Sequence, residues 1–212
     1  MADDYLGKKM EEFMNTPSHS SKHRSLSLNK LLSKNRSHRG YDSSFIVRED
    51  QLKKIISVNT IIPSARNQQV LRFRPVLSDE AYKVLPYIKL GGALPELNLP
   101  YQGTEPNAFI IICSTVAESH FVDIDLGISA QSMLLQATEI GLNGICIGAF
   151  NKLKIKEEFK LEYEPVMILA IGKGIEDIEL VDIHENESHN YYRENGKHYV
   201  PKVILDELII KR

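Results

Sequence analysis

The alternation of apolar and polar residues along the chain predicts a set of strands, most of them buried. AFIIIC (108–113), NGICIGAF (143–150) and PVMILAIG (165–172) are short apolar runs typical of buried strands, and IELVDI (178–183) is a further candidate. VLRFRPVL (70–77) instead alternates apolar with basic residues, which predicts a strand with only one buried face. Because helical segments separate these runs, the pattern favours a mixed fold of helices and strands.

The strongest helical pattern is VDIDLGISAQSMLLQATEIGL (122–142), which is apolar on nearly all sides. We expect this helix to run through the middle of the structure. Asp123 or Asp125 can cap its first turn, and Gly141 is expected to end it. A second, amphipathic helix is predicted over 48–59.

Weaker patterns fill the rest of the chain and leave no linker that would divide it. Further helices are predicted over 3–14, around Leu28 to Leu32, and over 79–89, 152–160 and 201–211, the last with Pro201 in its first turn. Asn195-Gly196 indicates a β-hairpin, and the Gly- and Pro-rich residues 91–107 predict a long loop. We expect residues 29–212 to form one domain, with residues 1–28 as its helical and basic N-terminal extension.

The composition describes a soluble globular chain, with 42% apolar residues among 212 and a net charge of -2. This charge implies neither nucleic acid nor an acidic membrane as a partner. Cys113 and Cys146 both lie in apolar runs, which predicts buried thiols in a reducing compartment. Residues 1–20 lack the apolar run of a secretion signal, and no run approaches the roughly 20 residues that span a bilayer. We therefore expect a cytoplasmic location.

Common catalytic and metal-binding patterns are absent from the sequence. No GxGxxG follows a strand, no GxxxxGK[ST] phosphate loop is present, and GxSxG is missing. His19 and His23 are four residues apart, but no carboxylate lies near them, so we expect no metal site. Because no nucleophile or acid–base pair stands out, we assign no catalytic residue.

What remains is a set of side chains suited to bind an anion and a planar polar ligand. KNRSHRGY (34–41) suits a phosphate, because guanidinium groups and a serine hydroxyl give it charge-assisted hydrogen bonds. The alternative is that Arg36 and Arg39 only stabilise a helix C-terminus. Asn67 and Gln69 can likewise bind the polar edge of a ring, or only cap the strand that follows them.

Four segments occur in the order found in the flavin-dependent nitroreductase family, which the chain resembles over roughly residues 30 to 172. They are RSHRGY (36–41), PSARNQQVL (63–71), DLGISAQSMLL (125–135) and CIGAF (146–150). The chain departs from the family pattern at Val70-Leu71, where a Pro-Trp pair is usual. Residues 91–107 and the tail after 172 match no family segment, so the resemblance leaves the substrate open.

The resemblance implies an α+β fold with a central, mainly antiparallel sheet flanked by helices and with a long core helix. It also implies an intertwined homodimer that binds FMN at the subunit interface. By this resemblance, Arg36, Ser37 and Arg39 would hold the phosphate and the pyrimidine side of the flavin, and Lys202 would complete the phosphate site. Pro63, Ser64, Ala65 and Asn67 would line the flavin from the partner subunit, and Gly148 and Ala149 would present a backbone N–H to flavin N5.

The activity implied by the resemblance is transfer of hydride from NADH or NADPH, through flavin N5, to a nitro, quinone or related small acceptor by ping-pong turnover. Arg39 is the candidate for a fixed cation beside flavin N1. Two alternatives remain open. One is a different reaction on the same fold, such as dehalogenation, and the other is binding of FMN or another phosphate-bearing ligand without turnover.

Overall fold

The computed structural model describes residues 27–92 and 97–211. The predicted helix at 3–14, nearly all of the predicted extension 1–28, and both His19 and His23 lie outside the described residues. Within the described residues, the helices are α1 (Leu28–Lys34), α2 (Glu49–Ser57), α3 (His120–Glu139), α4 (Lys152–Glu158) and α5 (Leu205–Leu208). None of these helices is both long and apolar enough to cross a membrane.

The strands of the described residues form two sheets. The larger sheet is antiparallel throughout and has the order β1-β2-β4-β3, from β1 (Leu71–Val76), β2 (Ala108–Ser114), β3 (Asn143–Ile147) and β4 (Glu164–Gly172). The smaller sheet has the order β5-β7-β6, from β5 (Asp177–Ile183), β6 (Tyr192–Glu194) and β7 (Lys197–Val203). The expected α+β fold with a mainly antiparallel central sheet is confirmed.

The central strand β2 is buried on both faces because helices and turns cover each side of the larger sheet. Ile110 and Ile112 pack against α2 and α3, whereas Phe109 and Ile111 face the side that Ile155 of α4 covers. Successive side chains of a strand point to opposite faces, so a continuous apolar run serves both cores. Full burial of each such side chain contributes roughly 1.5–3 kcal/mol.

Helix α3 has the predicted length and central position, but its capping differs from the prediction. The N-cap is Ser119, whose hydroxyl accepts a hydrogen bond from the Val122 N–H at 3.4 Å. Asp123 is exposed in the first turn, and Asp125 is buried further along. Gly141 follows the helix with φ +81°, a conformation that glycine adopts without strain, so the expected end is confirmed.

One predicted helix is wrong, and the helix predicted over 201–211 is limited to α5, Leu205–Leu208. Residues 79–89 contain two short 3-10 turns, Ala81–Lys83 and Leu85–Tyr87, because Pro86 removes a backbone donor that an α-helix needs. Pro201 does not start a helix but lies in β7, opposite Val181 of β5. It is tolerated there because β6 pairs only with residues 197–199, so Pro201 lies beyond the end of that strand.

The hairpin prediction at Asn195-Gly196 is confirmed. Both residues have a left-handed conformation, with φ values of 50° and 79°, and they connect β6 to β7. Positive φ at both central residues is the requirement of a two-residue turn that matches the twist of the strands. The hairpin places β7 beside β5, so the smaller sheet lies next to the end of β4.

Candidate functional site

The segment 36–41 runs in extended form between β3 and the residues that follow β4. The His38 N–H donates to the Gly144 carbonyl at 3.2 Å, and Tyr41 forms a bridge with Gly174. Gly174 allows this close approach, since a Cβ atom there would lie 2.2 Å from His38 Nδ1. The alternation of an extended chain buries His38 and leaves the side chains of its neighbours, Ser37 and Arg39, at a cavity.

This cavity has a volume of about 380 Å³, within the roughly 300–1,000 Å³ range of small-molecule sites. We name it the cationic cavity. Its described lining consists of Asn35, Arg36, Ser37, Arg39, Gln131, Leu134, Gly144, Cys146, Ile178, Tyr191, His198, Val200 and Lys202. No aspartate or glutamate is among these residues, whereas three side chains carry a fixed positive charge. The structure thus brings the four predicted residues Arg36, Ser37, Arg39 and Lys202 to one cavity.

Arg36 agrees with both interpretations made from the sequence, a phosphate-binding residue and a cation that stabilises a helix C-terminus. Its guanidinium donates to the carbonyls of Leu32 at 2.8 Å and Asn35 at 2.6 Å, so it stabilises the C-terminal end of α1. The same side chain lines the cationic cavity, and burial lowers its pKa from the ordinary value. An anion in the cavity would therefore compete with, or add to, these carbonyl contacts.

Arg39 is a cation with few protein partners in the cavity wall. Its guanidinium donates to the Ser37 carbonyl at 3.2 Å and lies 4.7 Å from the centroid of the Tyr191 ring. Its Nε atom is buried without a hydrogen-bond partner among the described residues. Within the described part of the chain, Arg39 also forms no ion pair with a carboxylate. The guanidinium is therefore available for a negatively charged group.

Tyr191, which directly precedes β6, and His198 of β7 form an aromatic wall that the sequence did not predict. Tyr191 stacks on His198 with ring centroids 5.2 Å apart, and both rings line the cationic cavity. Tyr192 and Tyr199 stack on each other instead, at 5.0 Å. The spacing of aromatic residues in the hairpin was visible in the sequence, but the side of the sheet that faces the cavity depends on the register of β7.

The polar turn at 63–69 is organised by Asp125 of α3. The Asp125 carboxylate accepts hydrogen bonds from Ser64 Oγ at 2.7 Å, the Ala65 N–H at 2.6 Å and Gln68 Nε2 at 3.0 Å. Burial alone would raise the pKa of Asp125, but these three donors hold it below the ordinary value. Asp125 is therefore a hydrogen-bond acceptor that orients the turn. The sequence predicted it only as a possible helix cap.

The same turn contains residues in a left-handed conformation, with φ of 53° at Arg66, 52° at Asn67 and 47° at Gln69. Such conformations cost free energy for residues other than glycine and persist where surrounding contacts fix them. Here Ser64 Oγ accepts from the Gln69 N–H at 3.0 Å, and Gln69 Nε2 donates to Asn67 Oδ1 at 2.9 Å. The turn is thus a built structure rather than a simple linker.

The turn borders a second space, which we name the turn cleft. It has a volume of about 350 Å³ and a mostly apolar lining that includes Pro63, Ser64, Asp125 and Ser129. The described linings of the turn cleft and the cationic cavity share no residue. Ala65 and Asn67 belong to the same turn but are not among the residues that line the cleft. One chain therefore does not bring the two predicted groups together at a single site.

Gly148 and Ala149 follow β3 at an exposed position. A Cβ atom added to Gly148 would meet nothing within 4 Å, and the Ala149 carbonyl accepts from the Lys89 N–H at 3.0 Å.

Cys113 is buried, and burial raises its pKa to about 11, as expected of a core thiol. The expectation that Cys146 is buried is wrong, because Cys146 points into the cationic cavity while the alternate residues of β3 fill the core.

No group of three or more His, Cys, Asp or Glu side chains suited to a metal ion occurs within residues 27–92 and 97–211. The polar groups that the sequence did not predict at the cavity are Asn35, Gln131, Tyr191 and His198. Asn35 and Gln131 lie within or beside the motifs quoted from the sequence. Their closeness to these motifs was the signal that could have placed them at the cavity.

Comparison with known proteins supports the resemblance. Residues 104–173 match the model described as the nitroreductase family. A curated relative from Methanocaldococcus jannaschii, named "Putative nitroreductase", is 34% identical over 56 residues, which is 26% of this chain and 28% of the relative. The sequence match thus spans less than a third of that relative's length.

The fold comparison extends over much more of the chain. The crystal structure of a nitroreductase family protein from Clostridium difficile 630 is 27% identical, with a TM-score of 0.56 over 70% of this chain and 85% of that chain. An FMN- and NADPH-dependent nitroreductase from Sphigopyxis sp. strain HMH is 18% identical, with a TM-score of 0.65 over 88% of this chain and 99% of that chain. The resemblance to the nitroreductase family is thereby confirmed, in sequence over residues 104–173 and in a nitroreductase-like fold over most of the chain.

Proposed function

We propose that the protein is an FMN-dependent oxidoreductase that uses NADH or NADPH to reduce a nitro, quinone or related small acceptor. The observation that carries the proposal is the cationic cavity, where Arg36, Arg39 and Lys202 gather without an aspartate or glutamate among the described lining residues. A phosphate-bearing ligand supplies the charge that such a cavity lacks. The comparison structure from Sphigopyxis is described as FMN- and NADPH-dependent, which agrees with this choice of ligand.

The residues of the cavity fit FMN by charge and by hydrogen-bonding capacity. Arg36, Ser37 and Lys202 would hold the phosphate, because two cations and a hydroxyl match the oxygens of a dianion. Arg39 would face the pyrimidine side of the ring. Among the described residues, its Nε has no hydrogen-bond partner and its guanidinium no carboxylate partner. FMN, when bound, would supply the hydride transfer from NADH or NADPH to the acceptor.

The part played by Arg39 is electrostatic. A fixed cation favours the additional negative charge of a reduced ring, and unit charges about 4 Å apart gain roughly 4 kcal/mol at an effective dielectric near 20. Arg39 acts here without gaining or losing a proton. Tyr191 lies against the Arg39 guanidinium, and His198 stacks on Tyr191 in turn.

We further propose that the working unit is a homodimer of chains in which residues 29–212 form the FMN-binding domain and residues 1–28 its extension. Pro63, Ser64, Ala65 and Asn67 of one chain would then line the FMN held by the cationic cavity of the other. Gly148 and Ala149 would contribute a backbone N–H to flavin N5. The support is that the two groups of residues lie at separate spaces within one chain. A cytoplasmic location agrees with the two free cysteines among the described residues.

The visible spectrum of the purified protein with added FMN tests the proposal. We expect the yellow band of bound oxidised flavin, and its bleaching when NADH or NADPH is added without oxygen. A protein that binds no FMN would refute the proposal. A protein that binds FMN and is bleached by neither nicotinamide would instead support binding without this turnover. Titration of nitro and quinone compounds into the bleached protein then identifies the acceptor class by recovery of the band.

A further inference from the structure

A buried carboxylate, Glu176, holds the backbone beside the cationic cavity from behind. It lies between β4 and β5, and its side chain is only 8% exposed. Its Oε2 atom accepts hydrogen bonds from the N–H groups of Arg39 and Gly40, the latter at 3.2 Å. Its Oε1 atom accepts from the guanidinium of Arg193 on β6 and forms a salt bridge with it. Both carboxylate oxygens therefore have donors.

Two buried histidines approach Glu176 without contacting it closely. His38 Nδ1 lies 3.9 Å from Oε2 and His198 Nδ1 lies 3.9 Å from Oε1, beyond hydrogen-bond distance. Burial lowers the pKa of both rings, and Arg39 and Arg193 lower that of His198 further. Both rings are therefore neutral near pH 7, and Arg193 is the cation that compensates Glu176.

This arrangement separates the tasks of two arginines. Arg193 lies behind the segment 36–41 and neutralises Glu176, whereas Arg39 lies at the cavity and has no carboxylate partner within the described chain. The carboxylate fixes the peptide groups on both sides of the Arg39 Cα atom, and so it limits the directions that the Arg39 side chain can take. Without Arg193, the uncompensated carboxylate would attract the guanidinium of Arg39, whose backbone it already binds, away from the cavity.

We propose that Glu176, compensated by Arg193, is a positioning residue that keeps the Arg39 guanidinium directed at the ligand of the cationic cavity. The inference rests on the proposed function, because it takes FMN as that ligand. Glu176 does not line the cationic cavity and acts only through Arg39. It belongs to neither of the motifs that supply Arg39 and Lys202, and it is 137 residues from Arg39 in sequence.

The test compares Glu176→Gln with Asp177→Asn. Both substitutions remove one negative charge at adjacent positions. The Asp177 side chain, however, is 68% exposed, and among the described residues its only ion pair is with Lys197, at 4.0 Å. We expect Glu176→Gln to raise the FMN dissociation constant at least tenfold, measured by flavin fluorescence, and Asp177→Asn to change it less than twofold. We also expect the flavin reduction potential to fall in Glu176→Gln. A tenfold loss of preference for the reduced cofactor corresponds to about 30 mV for a two-electron couple.

A second pair of variants covers the possibility that Glu176→Gln does not fold. Arg193→Lys keeps the charge that compensates Glu176 and should bind FMN within about threefold of wild type. Arg193→Gln removes that charge, so its affinity for FMN and the reduction potential of its bound flavin should both fall. A merely structural role would lower the melting temperature of these variants but leave the reduction potential of the remaining bound flavin unchanged.

The outcomes separate this inference from the proposed function. Wild-type protein that binds FMN, with affinity and potential unchanged in Glu176→Gln or in Arg193→Gln, would overturn the positioning role alone. Wild-type protein that binds no FMN would overturn both. We expect FMN affinity and flavin reduction potential to fall in Glu176→Gln and Arg193→Gln. Both quantities should be retained in Asp177→Asn and Arg193→Lys.

Discussion

Replacement of Asp125 by Asn tests whether one buried carboxylate builds the turn at 63–69. Asp125 is 4% exposed and accepts from Ser64 Oγ, the Ala65 N–H and Gln68 Nε2, at 2.6–3.0 Å. Hydrogen bonds to a charged group contribute about 1.5–3 kcal/mol each. Asn keeps one acceptor oxygen but replaces the other with an N–H₂ group that faces two donors. We therefore expect Asp125→Asn to lower the free energy of unfolding by roughly 2–3 kcal/mol.

Urea denaturation of Asp125→Asn and Asp123→Asn, followed by circular dichroism, provides the measurement and its matched control. Asp123 lies two residues earlier in the same helix and is exposed, so its loss removes only an interaction with the helix dipole, worth about 0.3–1 kcal/mol. A loss below about 0.5 kcal/mol in Asp125→Asn would refute the reasoning. An equal loss in the two variants would refute it too.

The pH dependence gives an independent check with a defined sign. The folded-state pKa of Asp125 is lowered, so its contribution is fully present above the ordinary aspartate value, about 3.9, and is lost as the pH falls through the folded value. Wild-type stability should therefore decrease toward that of Asp125→Asn in the acid range below about pH 4. Stability curves that stay parallel down to the acid transition would contradict the assignment.

Four further predictions concern the cavity, the packing and the assembly. Arg39→Gln should weaken FMN binding at least tenfold in a fluorescence titration, since a charge-assisted contact contributes about 1.5–3 kcal/mol. Arg48→Gln is the control, because it changes the net charge equally, from -2 to -3, and it should leave FMN binding unchanged. Gly174→Ala should destabilise the fold by roughly 1–3 kcal/mol because its Cβ would meet His38 at 2.2 Å. Gly127→Ala, in open space on α3, should stabilise it by about 0.5–1 kcal/mol in thermal unfolding, and a loss there would show that α3 packs against something else. Sedimentation at micromolar concentration should give the mass of two chains, and a strict monomer would contradict the shared site.

The sequence predicted the elements whose signal is local. The apolar runs of β2 and β4 and the all-round apolar pattern of α3 are direct consequences of burial on both sides, so they could be predicted from the chain alone. Asn195-Gly196 was equally informative because a tight turn needs positive φ at both positions. Pro201 was misleading because a proline suits both a helix start and an edge strand, and only the short length of β6 decides between them.

The candidate site depended on contacts between distant parts of the chain, and the sequence predicted it only in part. Arg36, Ser37 and Arg39 could be proposed from their spacing and the family resemblance, and Lys202 from the resemblance alone. Glu176 could not, because a single glutamate in a polar connection carries no local signal until the fold brings it to the Arg39 backbone. Asp125 was predicted as a helix cap for the same reason, since its three donors come from residues at least 57 positions away.

Helix α3 gives the two spaces of the chain a fixed geometric relationship. Asp125 and Ser129 reach the turn cleft, whereas Gln131 and Leu134 reach the cationic cavity from nearly the opposite side of the same helix. Asp125 and Gln131 are about 9 Å apart along the helix axis, at 1.5 Å per residue. This spacing is set by a buried α-helix and not by loops, so the packing of α3 fixes the distance between the two spaces. Conversely, a substitution that shifts α3 disturbs both spaces at once, and in a symmetric pair of chains it would disturb every binding site simultaneously.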